Sequence, residues 1–319
     1  IEALIRDGFE PERSLYLSFG HDEEVGGRDG AKAVAEHLKE QGIEFEFVVD
    51  EGGAVLDGVI ESVDRPVALI GVAEKGYLNL RLRVNAPGGH SSAPPPQSGL
   101  GIISRAIIEL EENPFPAELT HIRKTFGAFA PYTPFAYRLA MGNTWLLGPL
   151  IKPVLLSDQA TAASMRTTTA ATMASGSSKS NILPTRAEAV VNFRILPGET
   201  AESVRDRVIE IIDDERVEVI METTFNPSPV SPTDSMGYEL LAKTIRGFDE
   251  DILVAPNLLS GGTDARYFHA VSPNVYRFIM IRTTKETMKI VHGIDERIAV
   301  DDYLTAIRFY YALIRQATE

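Results

Sequence analysis

Cysteine is absent from the 319 residues, which excludes disulfides, thiolate nucleophiles and cysteine-ligated zinc or iron-sulfur centres. Essentially nitrogen and oxygen ligands remain for any metal. Cationic residues are in deficit as well: 31 Lys and Arg face 45 Asp and Glu, a formal charge of −14. Nucleic acid or an anionic membrane would be repelled unless some local stretch departs from that average, and no nucleic-acid partner is expected. Long apolar runs are also missing. The longest, such as Trp145 to Ile151, stop well short of the ~18 residues a membrane-spanning helix requires, so no membrane span is expected in this chain. What is left is an ordinary globular composition, 44% hydrophobic and 24% charged, in a chain about twice as long as a typical domain. No fixed-period repeat or low-complexity segment interrupts it.

Alternation of Leu15, Leu17 and Phe19 with Tyr16 and Ser18 predicts a strand running into the acidic loop His21 to Gly27. Helical periodicity follows over Ala31 to Lys39, with Gly42 past its end, and an apolar strand over Ile43 to Val49 stops at Asp50-Glu51-Gly52-Gly53. Strand, helix and strand at this spacing indicate a βαβ unit, in which ligands gather outside the carboxyl ends of the strands. From Glu74 onwards the texture changes. Leu78, Leu80, Leu82 and Val84 alternate with Asn79, Arg81 and Arg83, as in a strand with one face in water, and Ala187 to Ile195 repeats the pattern. Helices over Leu100 to Leu110 and Ser203 to Ile212 and a strand over Val217 to Thr224 complete an α+β set. The βαβ texture then returns with a helix over Met236 to Ile245 and a strand over Ile252 to Val254. The expected fold is therefore α/β: a domain with a central, mostly parallel sheet flanked by helices, split over 1–73 and 229–319, with an α+β domain inserted at 74–228.

Several residues in this arrangement could carry chemistry. Glu23 and Glu24 are adjacent carboxylates in front of Gly26-Gly27, so one could bind a metal while its neighbour acts as general base towards water; a solvated acidic loop is the alternative. Asp50 ends the neighbouring strand and could face the same cations, or cap a turn. His292, before Gly293 and the C-terminal helix, could complete an oxygen-rich site or be structural. His90, in Gly88-Gly89-His90-Ser91-Ser92, could stabilise an oxyanion or belong to a polar turn. Asn181 and Arg194 could hold a substrate carboxylate, the Arg as a fork, although an exposed strand Arg is common. Gly261, Gly262 and Thr263 open Gly261-Gly262-Thr263-Asp264-Ala265-Arg266, where backbone amides could hold an anion or form a capped turn.

Taken together, Asp22-Glu23-Glu24-Val25-Gly26-Gly27, Asp50-Glu51-Gly52, Gly88-Gly89-His90-Ser91, Asn181-Ile182-Leu183-Pro184, Gly261 to Arg266 and His292-Gly293 resemble the dizinc aminoacylase and carboxypeptidase superfamily in content, order and spacing. The aromatic insert Phe135 to Leu150 and Arg166-Thr167-Thr168-Thr169 resemble the carboxypeptidase S and N-acyl amino acid hydrolase branch. The resemblance implies a catalytic α/β domain with two zinc ions and an inserted lid domain that often mediates homodimer formation. It implies that Glu23 is the general base, that Glu24 and His292 bind one zinc and Asp50 the other, and that His90 stabilises the oxyanion, in many relatives from the partner's lid. Asn181, Arg194 and the Gly261, Gly262, Thr263 loop would hold the scissile group and the substrate carboxylate. The implied activity is hydrolysis of the amide bond of N-acyl amino acids or small peptides bearing a free carboxylate.

One departure stands out. The superfamily places a His-x-Asp motif and a zinc-bridging Asp upstream of the Glu pair, whereas residues 1–13 contain no His, and Asp7, the only Asp among them, lies too close to the pair. Ile1 to Ile5 read as the last turns of a helix closed by Gly8. The expectation is therefore an N-terminally shortened form of a zinc enzyme, with an incomplete ligand set and inactive as such. A non-catalytic carboxylate-binding module without a working metal centre is the alternative.

Overall fold

The computed structural model describes residues 1–319, which fall into two units. The first, Ile1–Glu74, Leu119–Val154 and Pro229–Glu319, is organised by strand Val67–Glu74, buried at seven of its eight positions. A strand covered on both faces can be almost continuously apolar, and Val-Ala-Leu-Ile-Gly-Val-Ala is such a run. It pairs in parallel with Leu253–Leu259 and antiparallel with Val275–Arg277 and Val55–Leu56. Val48–Asp50 joins Val275–Arg277 in parallel, and Arg282–Thr283 joins Val55–Leu56 in parallel. Three pairings are parallel and two antiparallel, so the six-stranded sheet is mixed.

Its layers are helical. Helix Ala31–Glu40 packs through Ala31, Ala35 and Leu38 against Ala265, Phe268 and Val275. Helices Met236–Phe248 and Val300–Thr318 bring Leu241, Ile245, Phe309 and Leu313 to Ile70, Tyr276 and Phe278. The expected strand over Leu15 to Phe19 does not form: these residues are irregular and exposed, Phe19 to 85%. Alternation makes a strand only where a neighbour takes up its backbone bonds, and no strand pairs with this segment. The strand expected over Ile43 to Val49 is confined to Val48–Asp50 for the same reason, since only those residues lie against Val275–Arg277.

The second unit comprises Lys75–Glu118 and Leu155–Ser228. Its four-stranded antiparallel sheet runs in the order Thr168–Ser175, Arg186–Ile195, Gly76–Asn85, Glu218–Phe225. Leu78, Leu80, Leu82 and Val84 point at helices Gly99–Glu112 and Ala201–Ile212. The opposite face carries a ladder of charge, with Arg83 Nε 2.7 Å from Glu188 and Arg81 Nε 2.6 Å from Glu222. The unit edges fall at Glu74/Lys75 and Ser228/Pro229, and Leu119–Val154, inside the 74–228 span expected for one inserted domain, packs with the first unit. Thr168–Ser175 is a strand that the Thr- and Ala-rich sequence does not announce, because its small residues show no alternation.

Lys75 is buried at the start of this unit, and its Nζ donates to the carbonyls of Ala163 and Arg166, both at 2.8 Å. Burial, reinforced by Arg194 and Arg166 and opposed by Glu199, pulls its pKa from 10.5 down to about 8. Between those values the unfolded chain holds a proton that the folded chain has released, so Lys75 makes stability rise with pH across that window. The shift corresponds to about 3 kcal/mol at most. Denaturant unfolding followed from about pH 7.5 to about pH 10 should show this rise relative to Lys75→Met; parallel pH dependences in the two proteins would contradict it.

Candidate functional site

The acidic pair occupies a single 3-10 turn, Glu23–Val25, with Gly26 and Gly27 both in the left-handed region at φ 107° and 63°. Gly27 is needed twice over. Its backbone is one that side chains rarely adopt, and a Cβ there would overlap Asp264 Oδ1. Tyr267 Oη donates to the Gly26 carbonyl, so the 3-10 turn Asp264–Ala270 holds the acidic loop at two points. Asp50 closes strand Val48–Asp50, and its carbonyl accepts from Phe278 N at 2.7 Å. Gly52, at φ 119°, lets the following loop turn where a Cβ would overlap Leu259 and touch Arg277 Cβ at 3.4 Å.

These loops concentrate negative charge. The Glu23 carboxyl is pushed up by burial and then by Glu51, Glu24 and Asp264, against Arg266. Glu51 is pushed up by burial, Asp50, Glu24 and Asp264, with His292 opposing. Burial also raises Asp264, aided by Asp50, Asp22 and Glu74 and opposed by Arg266. Asp22 Oδ1, Asp50 Oδ2 and Asp264 Oδ1 are buried oxygens without a hydrogen-bond partner. His292 Nδ1 lies 3.8 Å from Glu24 Oε1, both side chains being largely in solvent. Of the three residues assigned to metal, Glu24 and His292 therefore meet, while Asp50 shares their field through Glu51. No group of three or more His, Asp or Glu side chains is close enough to hold one ion, so the residues present do not fit a complete zinc site.

The Gly261-Gly262-Thr263 loop is anchored from beneath. Thr263 N and Oγ1 donate to the two oxygens of Glu74 at 3.0 and 2.7 Å, and Oγ1 also accepts from Ala265 N, capping the following turn. Glu74 is paired with Arg277 at 2.7 Å, and both are almost fully buried. The Thr263 amide is thus spent inside the fold, and only Gly261 and Gly262 remain to offer amides to an anion. Sequence inspection gives Glu51, Asp264 and Arg266 no charge role and Glu74 none at all. The acid beside Asp50 and the Asp after Gly-Gly-Thr were the available signals.

In the second unit, the short strand Gly89–His90 pairs with Ile182–Leu183, His90 opposite Ile182, and Ser91 N donates to the Asn181 carbonyl at 3.1 Å. His90 and Asn181 are therefore neighbours. Ser92 N donates to His90 Nδ1 at 3.2 Å, and Ser92 Oγ lies 2.8 Å from the same nitrogen. An Nδ1 that accepts leaves the ring proton of the neutral imidazole on Nε2, where it can be donated outwards. Arg194 sits elsewhere. It pairs with Tyr77 at the far end of the sheet, its guanidinium 4.8 Å from the Tyr77 ring centre. Eight residues of strand separate it from Arg186, roughly 26 Å at about 3.3 Å per residue.

Comparison with known proteins shows the family. A model of the peptidase family M20/M25/M40 matches residues 1–316. The chain belongs to that family. As an M20 chain it is 40% identical, over 320 residues, to the N-fatty-acyl-amino acid synthase/hydrolase PM20D1 of Xenopus tropicalis, an alignment covering 99% of this chain and 62% of that protein. It is 30% identical to carboxypeptidase S of Saccharomyces cerevisiae over 365 residues, covering 100% of this chain and 62% of that one. The expected superfamily and branch therefore hold. The M20 family metallo-carboxypeptidase Sso-CP2 from Sulfolobus solfataricus has a TM-score of 0.63 at 16% identity, covering 92% of this chain and 68% of that one, which shows the shared α/β fold. The M20 chain spans 62% of the length of both relatives.

Two measurements test the geometry. Glu74→Ala leaves Arg277 buried without its partner and should cost about 3 to 5 kcal/mol. Glu319→Ala, in the exposed Arg315 pair, should cost far less in the same denaturation experiment, and equal losses would contradict the anchoring role. Calorimetric titration of this chain with zinc should find no site tighter than about micromolar; two tight equivalents would mean that the ligand set closes on binding.

Proposed function

We propose that this chain supplies the proton-transfer and substrate-holding residues of a hydrolase that cleaves the amide bond of N-acyl amino acids or small peptides carrying a free carboxylate. The observation that carries it is the position of Glu23 in an M20 chain: partly buried on the acidic turn, among Glu51, Glu24 and Asp264, with its pKa raised first by burial and then by those carboxylates. A carboxylate so raised is a stronger base towards an attacking water and retains the proton more readily until it is passed to the leaving amine. A relative 40% identical is named an N-fatty-acyl-amino acid synthase/hydrolase and another a carboxypeptidase, which supports both the bond and the adjoining carboxylate.

The His90 Nε2 proton is available for a developing oxyanion, with Asn181 beside it, and the Arg194 fork suits a carboxylate. Their separation along one sheet is too great for a single small substrate, which supports a homodimer in which the two sets serve different copies' sites. Edge strand Thr168–Ser175, mostly exposed and free of charge and proline, is a surface on which a second lid sheet could continue. Zinc is the ion that Glu24, His292 and Asp50 are proposed to help hold. These three do not gather as one set in this chain.

That same lack of a three-ligand group favours one other reading, a non-catalytic module that binds N-acyl amino acids by their carboxylate. An assay of amino acid release by the zinc-loaded full-length enzyme separates the two. Under the leading reading Glu23→Gln lowers kcat by about 10² to 10⁴ with little change in KM, and undiminished turnover would refute the assigned base. Calorimetric binding of the N-acyl amino acid without any turnover would establish the module.

A further inference from the structure

Helices Phe135–Gly142 and Thr144–Leu156 are built inside out. A helix on a protein normally turns its large apolar residues inwards. Here Thr144 and Gly148 are the buried residues, and a Cβ on Gly148 would press on Leu119 at 3.1 Å. Trp145, Leu150 and Val154 are meanwhile 72%, 73% and 70% exposed, with Leu146 also in solvent. The preceding helix buries nothing and exposes Phe135, Tyr137 and Leu139. The charge of the segment is equally out of keeping. A chain of formal charge −14 has no Asp or Glu between residues 119 and 157, while Arg123, Lys124, Arg138 and Lys152 fall within that stretch.

We propose that this helix pair is a docking surface for a lipid membrane, lying in the headgroup layer with Trp145, Leu146 and Leu150 inserted and Arg138 and Lys152 against lipid phosphates. The helices are bent by 114° to each other, and at 1.5 Å per residue the longer one reaches only about 20 Å, short of the ~30 Å of a hydrocarbon core. They therefore lie on a bilayer and do not span it. Exposed Trp and Tyr beside isolated cations, with an apolar face, form the pattern of an interfacial helix. A second copy of this chain fits less well, because a two-fold contact sets the face against itself, and an acid-free stretch offers Arg138 and Lys152 no carboxylate partner. Lipid phosphates bring the opposite charge.

The test uses the one tryptophan of the chain as its reporter and requires no turnover. Vesicles of phosphatidylcholine, with or without about one fifth phosphatidylserine, are titrated to ~1 mM lipid while Trp145 emission and cosedimentation are followed. The expected result is a blue shift, quenching by brominated lipid, and binding that strengthens several-fold with phosphatidylserine and weakens with salt. Leu146→Asp with Leu150→Asp should lower partitioning at least about tenfold with an unchanged circular dichroism melt. If that variant does not fold, Arg138→Glu with Lys152→Glu should abolish the phosphatidylserine increment. Unmoved emission and protein left in the supernatant at the highest lipid would overturn the proposal. So would a blue shift that follows protein concentration without lipid, with a molar mass of two chains, which would assign the face to a second copy.

Discussion

The ion pair between Glu74 and Arg277 is the joint on which the first unit's loops depend. Both side chains are removed from water, and a charge left there alone would cost far more than the pair returns. Most of the polar atoms are matched: Arg277 Nε reaches one Glu74 oxygen at 2.7 Å and Nη1 the Val275 carbonyl at 2.9 Å, and Thr263 donates twice to the same carboxylate, while Arg277 Nη2 is left without a hydrogen-bond partner. Strand Val67–Glu74, strand Val275–Arg277 and the loop at Gly261 are thereby fixed to one another. From Thr263 the constraint passes to Asp264, whose carboxyl lies where only a glycine at 27 leaves room, and so to the turn carrying Glu23 and Glu24. Gly52 extends the same logic to Asp50, because its missing side chain is what lets that loop run against Leu259, beside Arg277 and Thr263.

Gathering Glu23, Glu24, Asp50, Glu51 and Asp264 works against stability, since each carboxylate raises the cost of ionising the next. The fold accepts this because the acids sit on loops that keep much of their surface in water, where repulsion is screened, and because Arg266 and His292 oppose part of the charge. The buried anchor and the exposed acids thus divide the work. Rigidity comes from a neutralised pair below the loops, and the uncompensated field comes from the groups above it.

How much of this is legible in the sequence follows from what each pattern measures. Alternation locates Gly76–Asn85 and Arg186–Ile195 to within a residue or two because those strands have one wet face and two neighbours each. The same alternation over Leu15 to Phe19 yields no strand, since periodicity reports side-chain preference and says nothing of a backbone partner. Motif spacing brings out Glu23, Glu24, Asp50, His90, Asn181 and His292. It does not bring out Glu74, because a single acid at the end of an apolar strand has no local signature and its partner Arg277 lies 203 positions away. The acid-free run from 119 to 157 is fully visible in the sequence, yet a net charge summed over the chain averages it away.

Spacing also misleads where it seems most suggestive. Asn181 and Arg194 are 13 positions apart (194 − 181), close enough in sequence to suggest one carboxylate clamp. A strand, however, advances about 3.3 Å per residue without folding back, so Arg186–Ile195 carries Arg194 to the opposite end of the sheet from the ribbon that joins Asn181 to His90. Proximity in a strand-rich unit is decided by pairing register, which sets His90 opposite Ile182 although they are 92 positions apart (182 − 90) and sets Arg194 opposite Tyr77. Residues that serve one chemistry from two ends of a rigid sheet cannot converge by side-chain rotation. They can act on a common ligand only if a second surface brings a complementary set.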